Sequence, residues 1–151
     1  MNNQTSGDAR RIVVGVDGSE GCKTALKWAM NQARLIDATV EAVTTWQDPM
    51  MSGYSYGWTP TVYEGDGLAT IMAKVLDDTI AAVSGQLERP VTVLPRVVEG
   101  HPAQVLLDTA SGAQLLVVGS RGHSTFVGIM LGSVSQHCVQ HAPCPVVVVP
   151  R

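Results

Sequence analysis

A chain of 151 residues has the length of one domain, and its 45% hydrophobic, 15% charged and 5% aromatic content is that of a protein that buries a core of small aliphatic side chains. Such a balance excludes a disordered chain or a coiled coil. Ten Lys+Arg against 13 Asp+Glu leave a formal net charge of −3 without any basic run, which argues against a nucleic-acid partner.

Residues 1–10 are polar, lack the apolar centre of a secretion signal and read as a disordered tail ahead of a domain at 11–151. No stretch of about 18 apolar residues occurs, so no membrane span is expected. The apolar run from Arg11 to Asp17, closed by Gly18-Ser19, reads as a buried strand followed by a helix start. Over residues 21–37, Ala25, Leu26, Ala29, Met30, Ala33 and Ile36 recur at spacings of three and four, one stripe of a helix facing a sheet. Residues 40–46 are rich in β-branched side chains and form the second strand. Residues 48–67, with Gly, Pro, Ser and Tyr and no period, read as a long loop of the kind that covers a site. Trp46, Tyr54, Tyr56, Trp58 and Tyr63 bracket it, offering a surface for a stacked base or a partner.

The next helix spans 68–87, with Ile71, Val75, Ile80 and Val83 as core positions, and a strand follows at 91–98. His101-Pro102 opens a helix to about Ser111, because proline suits the first helical position. Residues 114–119 form a buried strand, 132–141 a last helix, and 146–149 a last strand. The order βαβαβαβαβ with short apolar strands indicates a parallel sheet covered by helices on both faces. Ligands of such sheets sit beyond the carboxyl ends of the strands, which directs attention to the loops after the first and fourth. Cys22, Cys138 and Cys144 are an odd set without CxxC spacing, as expected of reduced, buried thiols in a cytoplasmic protein.

The most informative stretch is Gly119-Ser120-Arg121-Gly122, nine further residues, then Gly132-Ser133-Val134-Ser135 at a helix start. Glycines let backbone N–H groups face an anion, and a helix N-terminus adds unpaired N–H groups and about half a positive charge. The serines add hydroxyls, and Arg121 and His123 add cationic partners for a di- or triphosphate. An ordinary glycine-rich loop with Ser133 as a cap is the competing reading. GxxxxGK[ST] is absent, so the loop lacks the lysine that assists γ-phosphate cleavage, and slow turnover or none is expected.

With Gly119-x2-Gly122-x9-Gly132-Ser133 after Val117-Val118, and with Ile12-Val13-Val14-Gly15-Val16-Asp17-Gly18-Ser19 at its start, the chain resembles the nucleotide-binding, ATP-binding class of the universal stress proteins over residues 11–150. The resemblance implies an open, Rossmann-like, five-stranded parallel sheet of strand order 3-2-1-4-5. It also implies ligand roles. Asp17 would lie near the ribose and phosphates, Gly15 where backbone passes the nucleotide, and Thr45 where main chain pairs with the adenine edge. Gly119, Gly122, Gly132, Ser133 and Ser135 match the phosphate positions, with Ser120, Arg121, His123 and Val134 in the same segments. Mg²⁺ would bridge the phosphates and Asp17.

The expected ligand is ATP, with AMP and cyclic AMP as alternatives, and the resemblance implies a homodimer through the edge strand Val146–Val149, which an isolated subunit would leave open to pairing. The expected role is a dimeric stress-response regulator with weak ATPase activity or none. A slow nucleotide-dependent enzyme of the same fold and a nucleotide-free interaction module are the rivals. Against the enzyme stands the missing SGGxDS loop; against the module stands the intact glycine spacing. His137 and His141, four apart near Cys138 and Cys144, suggest a metal cluster only weakly, because Cys138 points to another helix face. GxSxG is absent, so a serine nucleophile has no elbow.

Overall fold

The computed structural model describes residues 9–48, 65–120 and 131–150. Along them strand and helix alternate: β1 (Arg11–Gly15), α1 (Glu20–Ile36), β2 (Thr39–Trp46), α2 (Gly65–Ser84), β3 (Val93–Glu99), α3 (Pro102–Thr109), β4 (Leu115–Gly119), α4 (Ser133–His141) and β5 (Val146–Val149). The strands form one parallel sheet in the order β3-β2-β1-β4-β5, as expected, with β3 and β5 at the edges. The register sets Gly15 opposite Val43 and Gly119 opposite Val149, so the carboxyl ends of adjacent strands finish together.

The period of two along β1 builds a core on each face. Ile12 and Val14 pack with Ala25, Leu26, Ala29, Met30 and Ala33 of α1 and with Leu76 and Val83 of α2. Val13 points the other way, to Leu106 of α3, its C-cap Ala110 and Cys138 of α4. Full burial of a side chain such as Leu26 or Met30 contributes about 1.5–3 kcal/mol. The α1 stripe read from spacing is the buried one.

α2 departs from expectation at both ends. It begins at Gly65, inside the stretch read as loop, and its core positions are Leu76, Thr79 and Val83. Ile71 and Val75 stay 45% and 36% exposed. None of residues 67–75 is buried. In a parallel sheet the helix after β2 starts above the carboxyl edge, so these first turns have no strand beneath them and only the later turns reach the sheet. The thiols of Cys22 and Cys138 are buried and that of Cys144 half-buried, all three free. Among the described residues no helix is long and apolar enough to cross a membrane. Residues 1–8 of the expected tail and 49–64 of the expected loop, with Tyr54, Tyr56, Trp58 and Tyr63, lie outside the described residues.

At the opposite end from the strand termini, Glu41 of β2 is buried and accepts hydrogen bonds from Arg11 (2.8 Å) and Arg96 (2.5 Å). Arg11 also donates to the carbonyls of Thr109 (2.7 Å) and Ser111, at the end of α3. One guanidinium thus neutralises a buried carboxylate and satisfies the open carbonyls of a helix end.

Candidate functional site

A cavity of about 740 Å³ opens at the carboxyl edge of the sheet. β1 supplies its floor through Gly15, followed by Val16, Asp17, Gly18 and Ser19. Gly15 is tightly approached, since a Cβ there would stand 3.0 Å from Leu106 Cδ1 and the leucine would have to give way. Gly18 turns the chain at φ +81°, a conformation that costs other residues about 1–2 kcal/mol. Asp17 Oδ1 accepts from the Ser19 backbone N–H (3.0 Å) and hydroxyl (2.5 Å). Ser19 Oγ in turn accepts from the Cys22 N–H (3.2 Å) as the N-cap of α1. Asp17 is therefore a turn aspartate and an exposed carboxylate at the cavity at once.

The end of β2 adds Val43, Thr44 and Thr45. Thr44 is buried and its hydroxyl donates to the Val16 carbonyl (2.7 Å), locking the β1 turn to β2. Across β1, Gly119 ends β4 and Gly132 caps α4 in an extended conformation without any side-chain cap bond. The Gly132 N–H donates to the Ser120 carbonyl (2.8 Å), and the buried Ser135 hydroxyl donates to the carbonyls of Ser120 (3.2 Å) and Gly132 (2.9 Å). These bonds fasten the start of α4 to the end of β4. The first amides of α4 have no intrahelical acceptor, and Ser133, Val134 and Ser135 of that turn line the cavity.

Burial pushes the Cys22 thiol up from its ordinary range, with the neighbouring Asp17 charge adding to the rise, so this cavity-lining group stays protonated at neutral pH. His137 and His141 stand on the exposed side of α4, their rings 4.6 Å apart, while Cys138 is buried on the other side. Among the described residues no group of three or more His, Cys, Asp or Glu is arranged to hold a metal ion.

Residues 9–150 match the model of the universal stress protein family. The chain belongs to that family. A universal stress protein of Mycolicibacterium smegmatis (strain ATCC 700084 / mc(2)155) is 34% identical over 151 residues, covering 98% of this chain and 48% of its own length. This chain spans about half the length of the curated relatives it matches. Among solved structures, the universal stress protein UspA from Lactobacillus plantarum superposes with a TM-score of 0.72 at 24% identity, over 93% of this chain and 97% of that one. A universal stress protein solved in complex with cAMP gives a TM-score of 0.64 at 25% identity, over 94% and 97%.

In this universal stress protein Gly15, Asp17, Thr45, Gly119, Gly132, Ser133, Val134 and Ser135 come together at one cavity. Ser120 contributes its carbonyl to the scaffold beneath them and is not part of the lining. Arg121, Gly122 and His123 lie outside the described residues. Sequence reasoning missed Met72 and Val75 of α2 and Pro102 and Leu106 of α3, all of which line the cavity. The carboxyl-edge rule was the available signal, since both helices follow a strand and begin at that edge.

Proposed function

We propose that this protein binds an adenine nucleotide in the carboxyl-edge cavity, phosphates at the start of α4 and base toward the end of β2. The observation that carries this reading is the meeting of an uncapped, glycine-led helix N-terminus with an apolar recess in one cavity. The cAMP complex of a relative at 25% identity supports the ligand class. ATP is the ligand we favour. The exposed Asp17 carboxylate at the cavity suits Mg²⁺, which binds through one or two carboxylates together with nucleotide phosphates.

The sequence lacks the GxxxxGK[ST] lysine that assists γ-phosphate cleavage, which supports slow hydrolysis or none. The protein then acts as a nucleotide-dependent regulator in the cytoplasm, where three free thiols remain reduced. The edge strand β5, half-buried along Val146, Val147 and Val148, is our candidate for pairing in a homodimer.

Ligand at a hundredfold excess over Kd stabilises a fold by about 2.7 kcal/mol, roughly a 5–10 °C rise in melting temperature at this chain length. Thermal melts in millimolar ATP, AMP and cyclic AMP, with and without Mg²⁺, rank the ligands. Mass spectrometry of small molecules released on denaturation identifies the resident one. A melting temperature unmoved by all three refutes the proposal, and sedimentation as a monomer refutes the dimer.

A further inference from the structure

Two histidines share one side of α4 and neither lines the carboxyl-edge cavity. His137 and His141 stand four residues apart, about one turn of helix, both exposed, with ring centres 4.6 Å apart and ring planes inclined at 47°. The backbone beneath them is held. Cys138, on the other side of the helix, is fully buried in the core with Val13 and Leu106. The Ala142 N–H donates to the Cys138 carbonyl (2.9 Å), which keeps the last turn closed through His141.

We infer that His137 and His141 form a two-point chelate for a divalent transition-metal ion of the Cu²⁺ or Ni²⁺ kind, with water completing its coordination. A metal–imidazole bond of about 2.0–2.1 Å, extended by about 1.15 Å from ring nitrogen to ring centre, puts each centre about 3.2 Å from a shared ion. Two such centres lie about 4.5 Å apart when the nitrogens subtend about 90° at the metal, and about 5.2 Å apart at the tetrahedral angle. The observed 4.6 Å fits the first, the angle between neighbouring ligands in the tetragonal sites that Cu²⁺ and Ni²⁺ prefer. Parallel rings would send their in-plane nitrogen lone pairs side by side, whereas inclined rings let them converge on one point. The place in the helix also favours a cation: His141 is the last residue of α4, where carbonyls without intrahelical donors form the negative end of the helix dipole. No third His, Cys, Asp or Glu joins the pair among the described residues, so the site is an open, exchangeable one rather than a closed structural centre. An ion held there ties the last two turns of α4 together, and this inference stands apart from the nucleotide reading.

The test is calorimetric titration of Ni²⁺ into tag-free, nucleotide-free protein, with thermal melts in Ni²⁺, Cu²⁺ and Zn²⁺ alongside. The wild-type protein binds one Ni²⁺ at its tightest site, and Cu²⁺ more tightly than either of the others. His137→Ala and His141→Ala each weaken that site at least tenfold, because the second bond of a chelate is effectively intramolecular and is lost with either ring. The double variant Val139→His/His141→Ala keeps the number of histidines but sets the second ring on another helix face, and loses as much. All three positions are exposed, so the metal-free melting temperatures of these variants stay within about 2 °C of wild type, and only wild type melts higher in Ni²⁺. Unchanged Ni²⁺ affinity in either single variant, full affinity in the double variant, or a wild-type protein that binds no Ni²⁺ at millimolar concentration overturns the inference.

Discussion

Two glycine-to-alanine substitutions near the cavity have opposite expected signs. Gly18 sits at φ +81°, and a Cβ there stands 3.2 Å from Val75 Cγ1. The backbone strain is about 1–2 kcal/mol, and the contact moves an exposed valine by a few tenths of an ångström at little further cost. Gly67 lies in the first turn of α2, with nothing within 4 Å of an added Cβ. Alanine there gains about 0.4–1 kcal/mol from helix propensity and a less flexible unfolded chain. At roughly 2–4 °C per kcal/mol, Gly18→Ala melts about 2–8 °C lower and Gly67→Ala about 1–4 °C higher. Thermal melts and urea titrations of both variants decide the matter. Shifts of the same sign, or a Gly18→Ala protein within 0.5 °C of wild type, refute the reasoning from local conformation.

If the proposed nucleotide sits with its phosphates at the start of α4, Ser133→Ala lowers ATP affinity several-fold and leaves adenosine affinity unchanged, as titration of the two will show. Ser135→Ala instead unfastens α4 from β4 and lowers stability by about 1 kcal/mol in urea unfolding. Glu41→Gln leaves Arg11 and Arg96 without their counter-charge; both guanidiniums are partly hydrated, so the loss is about 1–2 kcal/mol rather than the larger cost of a fully buried pair. Because that cluster lies away from the cavity, nucleotide affinity should not move. Burial raises the Cys138 thiol to about 11, so the folded state keeps a proton that the unfolded chain releases near pH 9. Its contribution to stability is whole below pH 9 and is lost as pH rises toward 11, and urea midpoints across that range should fall less steeply in Cys138→Ala.

Much of the fold is legible because a parallel sheet needs strands that are apolar on both faces, and Ile12-Val13-Val14 and Leu116-Val117-Val118 are such runs. The α1 stripe is equally plain, as every member meets the same sheet. α2 misleads because one apolar stripe serves two surfaces in turn: Val83 and Leu76 meet strands, Val75 and Met72 meet a cavity, and periodicity records only that all are apolar. Glu41 is opaque for another reason. A carboxylate inside a strand reads as solvent-facing until its partners are known, and those stand on strands 30 and 55 residues away. The glycines and serines at the ends of β1 and β4 announce themselves by turn chemistry, whereas Pro102 and Met72 come to line the cavity only because α2 and α3 begin on opposite sides of one sheet edge.

The backbone N–H of Arg11 donates to the side chain of Gln114, 103 residues later, and β1 pairs with β4 at the centre of the sheet. During synthesis β1, α1 and β2 can associate early, but the second half of the sheet awaits the closing of that long loop, which is entropically the costliest step of assembly. Gly119 and Gly132, which form the far wall of the cavity, emerge only with the last third of the domain. A ligand bridging β1 and α4 therefore finds no site on a partly made domain, and its stabilising effect is confined to the folded domain.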